Sequence, residues 1–551
     1  MVGPTGLRRS FLLAALGGAL LQAPMAWAYV PLMAGQAARP LSGRFNNVPV
    51  LHSNQPEEVF GPGILVNTAP GSAVTSESGQ PLTNAAFTFN GDFGLHVHHK
   101  YAAPPGAEPT PGRVRSELAL ATILINPGYQ PVRIRFDRGA FSNSFEAPYR
   151  PNYLMGVKPL GPRPWNTGPG DATAVTMLRG KLDARLPSEV VVPPRSRMVL
   201  FRTQLPAQGI ANGLLRGRSD GPFQMAVVAA KNPENDYDIV AVLDQGVLAP
   251  GRIYLNRLAD IDSGRVFSRV AGVAYGDAYQ ASLSYDLRQG ALHVPLTSTN
   301  RHNFGTREVQ VNPLASRMVD SSLDNVGTYG VRFDVQLNLI GSGPYALALS
   351  HPTPNGRTFT AFRGSIGIET DEGYREVHVG MRSGESLQLA SLNLRPGVTN
   401  TVKVSLVYPA DSTPGHLLSV VPEEQLAQLL ERERQVTLAR AAAARSAAAA
   451  PIPPSVATNG IPAAQVKAPM SPRASSASKR PRPFPPSAWR KPLPPPPPPL
   501  INNALIGTPS SGVNGMPPAF IPPARLSQTL MDRYQQAVEA QQRIIKNLMG
   551  R

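Results

Sequence analysis

Val331-Arg332-Phe333-Asp334-Val335-Gln336-Leu337-Asn338-Leu339 alternates apolar and polar residues without a break. Successive side chains of a β-strand point to opposite faces, so this stretch predicts a strand with one buried face. The same alternation recurs at Val132–Phe136 and Val402–Leu406. Between about Pro40 and Pro422 such short runs are separated by Gly, Pro and Asn, with no long helical period. The sequence therefore predicts a mainly β fold of antiparallel strands.

Two regions of this β segment have a similar order of strands and turns. In each, a strand–turn–strand stretch is followed by a proline-containing turn and a last strand. These stretches are Ile123–Phe136 around Asn126-Pro127-Gly128, Val192-Pro193-Pro194-Arg195-Ser196-Arg197 before Met198–Phe201, Leu337–Leu349 around Gly341-Ser342-Gly343, and Leu394-Arg395-Pro396-Gly397 before Val402–Val407. Immunoglobulin-like sandwiches often space an early hairpin and a final strand in this way. We expect either two tandem β-sandwich domains, at residues 29–250 and 251–421, or one larger intertwined β-domain.

The first 28 residues have the organisation of an export signal. Arg8 and Arg9 precede the short apolar run Phe11–Leu21, and Ala26-Trp27-Ala28 forms a small-x-small cleavage motif. The apolar run is shorter than the about 20 residues that a membrane-spanning helix needs. We therefore expect a cleaved signal peptide at residues 1–28 and an exported protein of the periplasm or cell envelope. The arginine pair leaves the general secretory and twin-arginine routes both open.

The composition excludes several classes of site. The chain contains no cysteine, which excludes disulfides, thiolate metal sites and cysteine nucleophiles. Its formal charge is +17, to which the residues after 450 contribute twelve basic and two acidic side chains. The positive charge is thus concentrated in a C-terminal tail. For an exported protein, this favours anionic cell-wall polymer or membrane headgroups as partners over nucleic acid.

Three segments of different composition follow the β segment. Residues 422–450 begin with Pro422-Glu423-Glu424 and continue at helical spacing into an alanine-rich run, which predicts a helix. Residues 451–525 are rich in proline and basic residues, and we expect them to be extended or disordered because such a segment cannot form a core. Residues 526–551 predict a short amphipathic helix.

Two sets of tail residues are candidates for contacts with partners. The candidates for contact with anionic polymer are Lys479, Arg480, Arg482, Arg490 and Lys491. The apolar stripe of the terminal helix consists of Leu530, Tyr534, Val538, Ile545 and Leu548. This stripe is the candidate surface for packing on an envelope protein, and the basic residues at its end leave peripheral membrane contact as the alternative. An energy-coupling arm is a further alternative, but it requires an uncleaved N-terminal anchor.

His96 and His98 are the candidates for metal binding. On a strand they point to one face, where two imidazoles can share a metal ion. His52 and Glu117 are candidate third ligands that no motif supports. The alternative is a polar strand face at a domain edge. No cofactor is expected and no catalytic residue is assigned, because the sequence has neither a nucleophile elbow nor a phosphate-binding loop.

Several phrases of the β segment resemble one known family. They are Leu41-Ser42-Gly43-Arg44-Phe45-Asn46-Asn47-Val48-Pro49-Val50, Gly63-Ile64-Leu65, Phe93-Gly94-Leu95-His96-Val97-His98-His99, Gly168-Pro169-Gly170-Asp171, Leu178-Arg179-Gly180, Gly264-Arg265-Val266, Ala271-Gly272-Val273-Ala274 and Tyr329-Gly330-Val331. Their order and spacing are similar to a family of exported cyanobacterial proteins classified as domain of unknown function 3370, over roughly residues 40–420. The resemblance implies a cyanobacterial envelope setting but supplies no activity and no site.

These observations lead to two functional hypotheses. The first is a non-enzymatic binding or structural β-sandwich protein, whose basic proline-rich arm contacts anionic cell-wall material. The second is a metal-dependent hydrolase that acts on envelope polymer through His96 and His98.

Overall fold

A computed structural model describes residues 37–103, 117–148, 155–161, 168–265, 268–352 and 358–449 of the 551-residue chain. The predicted signal peptide, the proline-rich arm with its five basic contact residues, and the terminal amphipathic helix lie outside these residues. Within them strands dominate, and the predicted mainly β class is confirmed.

The described strands are numbered in chain order. The first fourteen are β1 Gly43–Phe45, β2 Pro49–Ser53, β3 Glu58–Val59, β4 Gly63–Asn67, β5 Ser72–Thr75, β6 Pro81–Thr83, β7 Asp92–Tyr101, β8 Glu117–Asn126, β9 Val132–Asn143, β10 Gly156–Pro159, β11 Glu189–Val192, β12 Ser196–Pro206, β13 Ile210–Ser219 and β14 Gln224–Lys231. The others are β15 Val247–Leu248, β16 Ala271–Tyr275, β17 Ala278–Asp286, β18 Leu292–Leu296, β19 Asn312–Arg317, β20 Asp324–Asn325, β21 Arg332–Ile340, β22 Gly343–Ser350, β23 Thr360–Thr370, β24 Gly373–Arg382, β25 Ser386–Leu394, β26 Thr399–Val407 and β27 His416–Pro422.

The described helices are few and mostly short. They are α1 Pro169–Leu178, α2 Asp236–Asp244, α3 Leu258–Asp262 and α4 Glu423–Ala449, with 3-10 turns at Ile253–Arg257 and Leu287–Gln289. Helix α4 begins directly after β27, as the sequence predicts for residues 422–450. None of the helices in the described ranges is both long enough and apolar enough to cross a membrane.

The strands form four sheets, which we name I to IV. Sheet I has the order β12-β8-β14-β4-β15-β5-β6, and sheet II has the order β11-β9-β13-β7-β2-β16-β19-β20 with β3 beside β7. Sheet III has the order β1-β17-β21-β26-β23-β24-β10, and sheet IV has the order β18-β27-β22-β25. Most neighbours are antiparallel, as predicted, whereas β7 is parallel to both β2 and β3, β15 to both β4 and β5, and β17 to β21.

Two hydrophobic cores hold the sheets together in pairs. Sheets I and II enclose the first core, to which β14 contributes Val228 and β7 contributes Leu95. Sheets III and IV enclose the second core, to which β21 contributes Phe333 and β22 contributes Leu347. The alternating apolar residues of β21, from Phe333 to Leu339, are buried, whereas the polar residues between them are partly exposed and the terminal Ile340 is exposed. The alternation that predicted this strand is therefore the pattern that builds the second core.

The two predicted hairpins are wrong in their strand pairing. Strands β8 and β9, on either side of Asn126-Pro127-Gly128, belong to sheets I and II and pair with other strands. Strands β21 and β22, on either side of Gly341-Ser342-Gly343, likewise belong to sheets III and IV. Each turn is thus an arch between two sheets. Alternating side chains identify a strand, but its partners are set by contacts far away in the sequence.

A common unit of two arches occurs in both sandwiches. In the first, β8 pairs with β12 and β9 pairs with β11. In the second, β21 pairs with β26 and β22 pairs with β25. In each unit the first and last strands share one sheet, and the two middle strands share the other. The similar order of strands and turns in the sequence corresponds to this unit.

Strands cross the predicted boundary at residue 250 in both directions. Strands β16, β19 and β20 follow that residue but extend sheet II of the first sandwich. Strands β1 and β10 precede it but extend sheet III of the second sandwich. The protein therefore has two sandwich cores, as in the tandem arrangement, and shared strands, as in the intertwined alternative.

Candidate functional site

Sheets II and III face each other across helix α1. The helix contacts β9 and β13 of sheet II and β23 and β26 of sheet III. Its Ala174, Met177 and Leu178 pack with Leu214 of β13 and Val407 of β26 in a small apolar cluster. Around this cluster lies a band of buried polar side chains, which we call the seam. Its members are His52, His96, His98, Asp171, Thr173, Asn212, Ser365 and His378, together with the partly buried Asp411.

Strand β7 places His96 and His98 on the seam. Its residues alternate between the two faces of sheet II, so that Leu95 and Val97 enter the first core while the two histidines face sheet III. The sequence predicted this shared face. The strand is not at a domain edge, however, because it lies between β13 and β2, and both histidines are buried.

His52 of β2 lies directly beside His96. Their Nδ1 atoms are 3.2 Å apart, a hydrogen bond in which one ring donates to the other. Burial lowers the pKa of His52 to about 3, and burial followed by the neighbouring histidines holds the pKa of His96 well below its usual value. Both rings are therefore neutral at pH 7. The Nε2 atoms of both rings are buried without a hydrogen-bond partner in the described part of the chain.

The neighbouring histidines of β7 have other polar partners. His98 Nδ1 lies 3.0 Å from the side-chain amide of Asn212, which in turn contacts the Thr173 hydroxyl of α1. His99 is on the opposite face, where Nε2 contacts Ser53 Oγ at 2.8 Å and Nδ1 contacts the Pro56 carbonyl at 2.7 Å. The donors and acceptors of these rings thus link sheet II to α1 and to the loop after β2.

The structure brings His52 to His96 but does not place His98 in the same pair. No group of three or more His, Asp or Glu side chains within the described ranges is arranged to hold a metal ion. The side chain of Glu117, the other candidate third ligand, lies outside what the structure describes. Metal binding through His96 and His98 stays a prediction.

A serine, a histidine and an aspartate meet on the other side of the seam. Ser365 of β23 and His378 of β24 are cross-strand partners, and Asp171 belongs to the first turn of α1. Asp171 Oδ1 is 3.5 Å from Ser365 Oγ, and its Oδ2 is 3.5 Å from His378 Nδ1. In a catalytic triad the imidazole stands between serine and carboxylate, whereas here the carboxylate stands between the other two. The three buried side chains form a link between α1 and sheet III.

Asp411, in the loop after β26, completes the seam beneath α1. Burial raises the pKa of its carboxyl group, although the nearby His98 and Arg363 side chains act in the opposite direction. A Cβ at Gly170 would lie 2.7 Å from Asp411 Oδ2, so glycine at this position permits the close approach of α1 to the loop. The seam is therefore a tightly packed polar contact between the two sandwiches.

Three arginines lie near a small cavity beside the seam, and two of them, Arg138 and Arg332, line it. Arg138 of β9 and Arg216 of β13 come from sheet II, and Arg332 of β21 comes from sheet III; we call them the arginine cluster. The cavity has a volume of about 20 Å³, enough for about one water molecule. It is lined by His96, Arg138, Arg332 and Asp277, together with apolar side chains including Met177 and Val407.

Sequence reasoning missed the arginine cluster and the contact between Ser365, His378 and Asp171. Arg138 and Arg216 are far apart in the sequence, and only the register of β9 on β13 places them opposite each other. Ser365 and His378 likewise meet through the register of β23 on β24. A period-two pattern identifies the face of each strand but contains no signal for this register.

Comparison with family models identifies the family of the chain. None of the curated proteins matches the chain. A family model described as "Protein of unknown function (DUF3370)" matches residues 36–422. The match includes every strand of the four sheets, the arginine cluster and the whole of the seam. Because it covers well over half of the 551 residues, the chain belongs to the DUF3370 family.

Proposed function

We propose that the protein is an exported, non-enzymatic binding or structural protein of the cell envelope. Its β-sandwich body holds a partner, and its basic proline-rich arm contacts anionic cell-wall polymer. The observation that carries the proposal is the distribution of charge: the residues after 450 have twelve basic and two acidic side chains. A polycation of this kind favours an anionic surface, and the export signal makes wall polymer the accessible one.

Helix α4, which connects the body to the arm, supports the proposal that the two parts have separate roles. Leu426 in the first turns of α4 is buried against Ala346, Ala348 and Val421, and Leu429 and Leu430 pack beside it. Beyond Glu431 the described side chains of the helix are mostly exposed. At 1.5 Å per residue, the 19 residues from 431 to 449 extend about 28 Å. The arm thus starts from a helix whose base is fixed to sheet IV.

The composition of the arm supports a role in reach and contact. Proline keeps a chain extended without a core, and about 70 residues at about 3.1 Å each have a maximum reach on the order of 200 Å. The basic residues proposed to contact polymer are Lys479, Arg480, Arg482, Arg490 and Lys491. The stripe Leu530, Tyr534, Val538, Ile545 and Leu548 of the predicted terminal helix is proposed to pack on an envelope protein.

Retention on purified peptidoglycan tests the role of the arm. We would compare the full chain, a chain stopped after Ala450, and a full chain in which the five basic contact residues are replaced by Gln. The full chain is expected to be retained at low salt and released as salt rises, whereas both variants are expected to lose most of the retention. A matched control replaces Arg44 and Arg202, which are exposed on the body, by Gln.

Equal retention of the full chain and the truncated chain would remove the role assigned to the arm. N-terminal sequencing of the protein from fractionated cells tests the export proposal separately. Processing before Tyr29 and recovery in the envelope fraction are expected. An unprocessed protein in the inner membrane would contradict a cleaved signal and favour the energy-coupling arm.

A further inference from the structure

The arginine cluster contains an unfavourable arrangement of charges. Arg138 and Arg216 are direct cross-strand partners on β9 and β13. Like charges directly opposite each other destabilise a sheet, so this pair requires compensation from nearby anions. Burial, followed by Arg216 and then Arg332 of sheet III, lowers the pKa of Arg138, whereas the nearby carboxylates of Asp277 and Asp137 act in the opposite direction.

Two of the three arginines have compensating partners. Arg216 donates to Asp277 Oδ2 at 2.7 Å, and Asn46 also donates to this carboxylate, at 2.6 Å. Arg332 donates to both carboxylate oxygens of Asp334, at 2.8 and 3.0 Å. A further bond of 3.2 Å runs from Arg332 to the Leu178 carbonyl. These acceptors fix the positions of Arg216 and Arg332.

Arg138 is different, because it has neither an ion pair nor a hydrogen-bond acceptor among the described residues. Its side chain is partly buried and lines the cavity. A guanidinium group has five N–H donors in a planar fork that matches the oxygens of a carboxylate or a phosphate. Holding such a group partly out of water beside two like charges is costly unless an anion approaches it.

The cavity next to Arg138 has the form of a site for a small polar group. Gly94 and Gly330 contribute backbone to its wall, and Gly330 adopts a φ of +78°. A Cβ at Gly330 would lie 2.8 Å from the Leu214 side chain, and one at Gly94 would lie 3.0 Å from Val50. Substitution of either glycine therefore requires the wall to move. His96, whose Nε2 is buried without a described partner, lines the same cavity.

We propose that Arg138, at the cavity between sheets II and III, binds one oxyanionic group of a ligand, either a carboxylate or a phosphate. The cavity volume of about 20 Å³ admits about one oxygen atom, so the rest of the ligand stays at the mouth of the cavity beside Arg332. The proposed site lies entirely in the folded body, so its test does not depend on the function proposed for the arm. It gives the body a ligand class that the family description does not include.

Thermal unfolding of the full chain, titrated with inorganic phosphate, sulfate or acetate at constant ionic strength, tests this site. Constant ionic strength separates binding from general screening. At ten times the Kd, the bound anion is expected to raise Tm by about 2 °C. Arg138→Gln is expected to lose this shift, and Arg138→Lys is expected to retain a weaker one because an ammonium lacks the planar fork.

Arg202→Gln is the matched control. Arg202 of β12 also has no ion pair among the described residues, but it is exposed on sheet I. This variant is expected to keep the full shift. Stabilisation by phosphate and sulfate alone would identify a phosphate-type ligand, and stabilisation by acetate alone a carboxylate; either result supports the site. Unchanged Tm of the unaltered chain in all three anions, or equal shifts in every variant, would overturn it.

Discussion

Arg252 and Asp320 form an ion pair in which both side chains are fully buried. Arg252 Nη1 donates to the two carboxylate oxygens at 2.9 and 3.0 Å, and Nη2 donates to the backbone carbonyl of Leu65. Gln55 Nε2 donates to the same carboxylate at 3.2 Å. The pair thereby joins β4 to the loops after β2 and β19. Removing one member of such a pair leaves an uncompensated buried charge, which costs about 3–5 kcal/mol.

We therefore expect Asp320→Asn to lower the free energy of unfolding by about 3 kcal/mol or more. Asp371→Asn is the control, because Asp371 pairs with Arg395 on the exposed surface and is expected to cost less than about 1 kcal/mol. Urea unfolding at pH 7 measures both. The double variant Arg252→Met with Asp320→Leu is expected to recover part of the loss. Similar small effects of Asp320→Asn and Asp371→Asn would show that the buried pair carries no special share of the stability.

At the scale of elements, one asparagine in each two-arch unit binds the turns together. Asn126 Nδ2 donates to the carbonyls of Gln130, Val192 and Pro193 at 2.8, 3.0 and 3.1 Å, and its Oδ1 accepts from Gly128 N at 2.9 Å. Asn400 of β26 similarly donates to three carbonyls, those of Leu339, Arg395 and Val398. The amide supplies the donors that backbone in an arch needs when it pairs with no neighbouring strand.

Asn126→Ala is expected to destabilise the protein by about 2–3 kcal/mol, because it leaves buried carbonyls without donors. Asn126→Asp is expected to cost more, since it turns a carboxylate toward those carbonyls. Denaturant unfolding of both variants measures the loss. Asn393→Ala on β25 is the control, because Asn393 is exposed and is expected to change stability by less than about 0.5 kcal/mol. If Asn126→Ala lowered the free energy of unfolding no more than Asn393→Ala, the turns would not depend on the Asn126 amide.

The strands could be predicted from the sequence because their signal is local. The alternation of β21 and β26 depends only on which face of each strand meets a core. The same period of two predicted that His96 and His98 share one face of β7. The pairing of β8 with β12 could not be predicted, because it depends on arches whose turns resemble hairpin turns. The arginine cluster is hidden for the same reason: Arg138 and Arg216 become neighbours only through the register of distant strands.

At the scale of the whole molecule, eight of the nine histidines are buried. Burial lowers the pKa of His52 and His99 to about 3, and that of His293 and His351 to about 4. The pKa values of His96 and His416 are also held well below the usual value. These six rings lie in both sandwiches and in the seam. Neutral histidine is thus a structural requirement throughout the body.

This requirement predicts unfolding in mild acid. The unfolded chain has histidine pKa values near 6.5, so between about pH 6.5 and pH 4 it binds protons that the folded protein does not bind, and the free energy of unfolding falls as pH decreases. At pH 5 each of the six rings contributes a loss of about 2 kcal/mol, and the sum is comparable with the about 5–15 kcal/mol that stabilises a typical protein. Asp411 and Asp324, whose pKa values burial raises in the folded state, offset at most two of these protons.

Urea unfolding midpoints between pH 8 and pH 5 measure this dependence. We expect little change above pH 7, followed by a steep fall whose slope corresponds to several protons per molecule. His293→Gln is expected to reduce that slope by about one proton, because His293 contacts Ser419 Oγ at 2.8 Å through a bond that a neutral amide can also make. A midpoint that stays constant from pH 7 to pH 5 would mean that the histidines gain protons without unfolding, and hence that the seam and the cores admit water. Acid stability therefore reports whether the seam and the two cores exclude water.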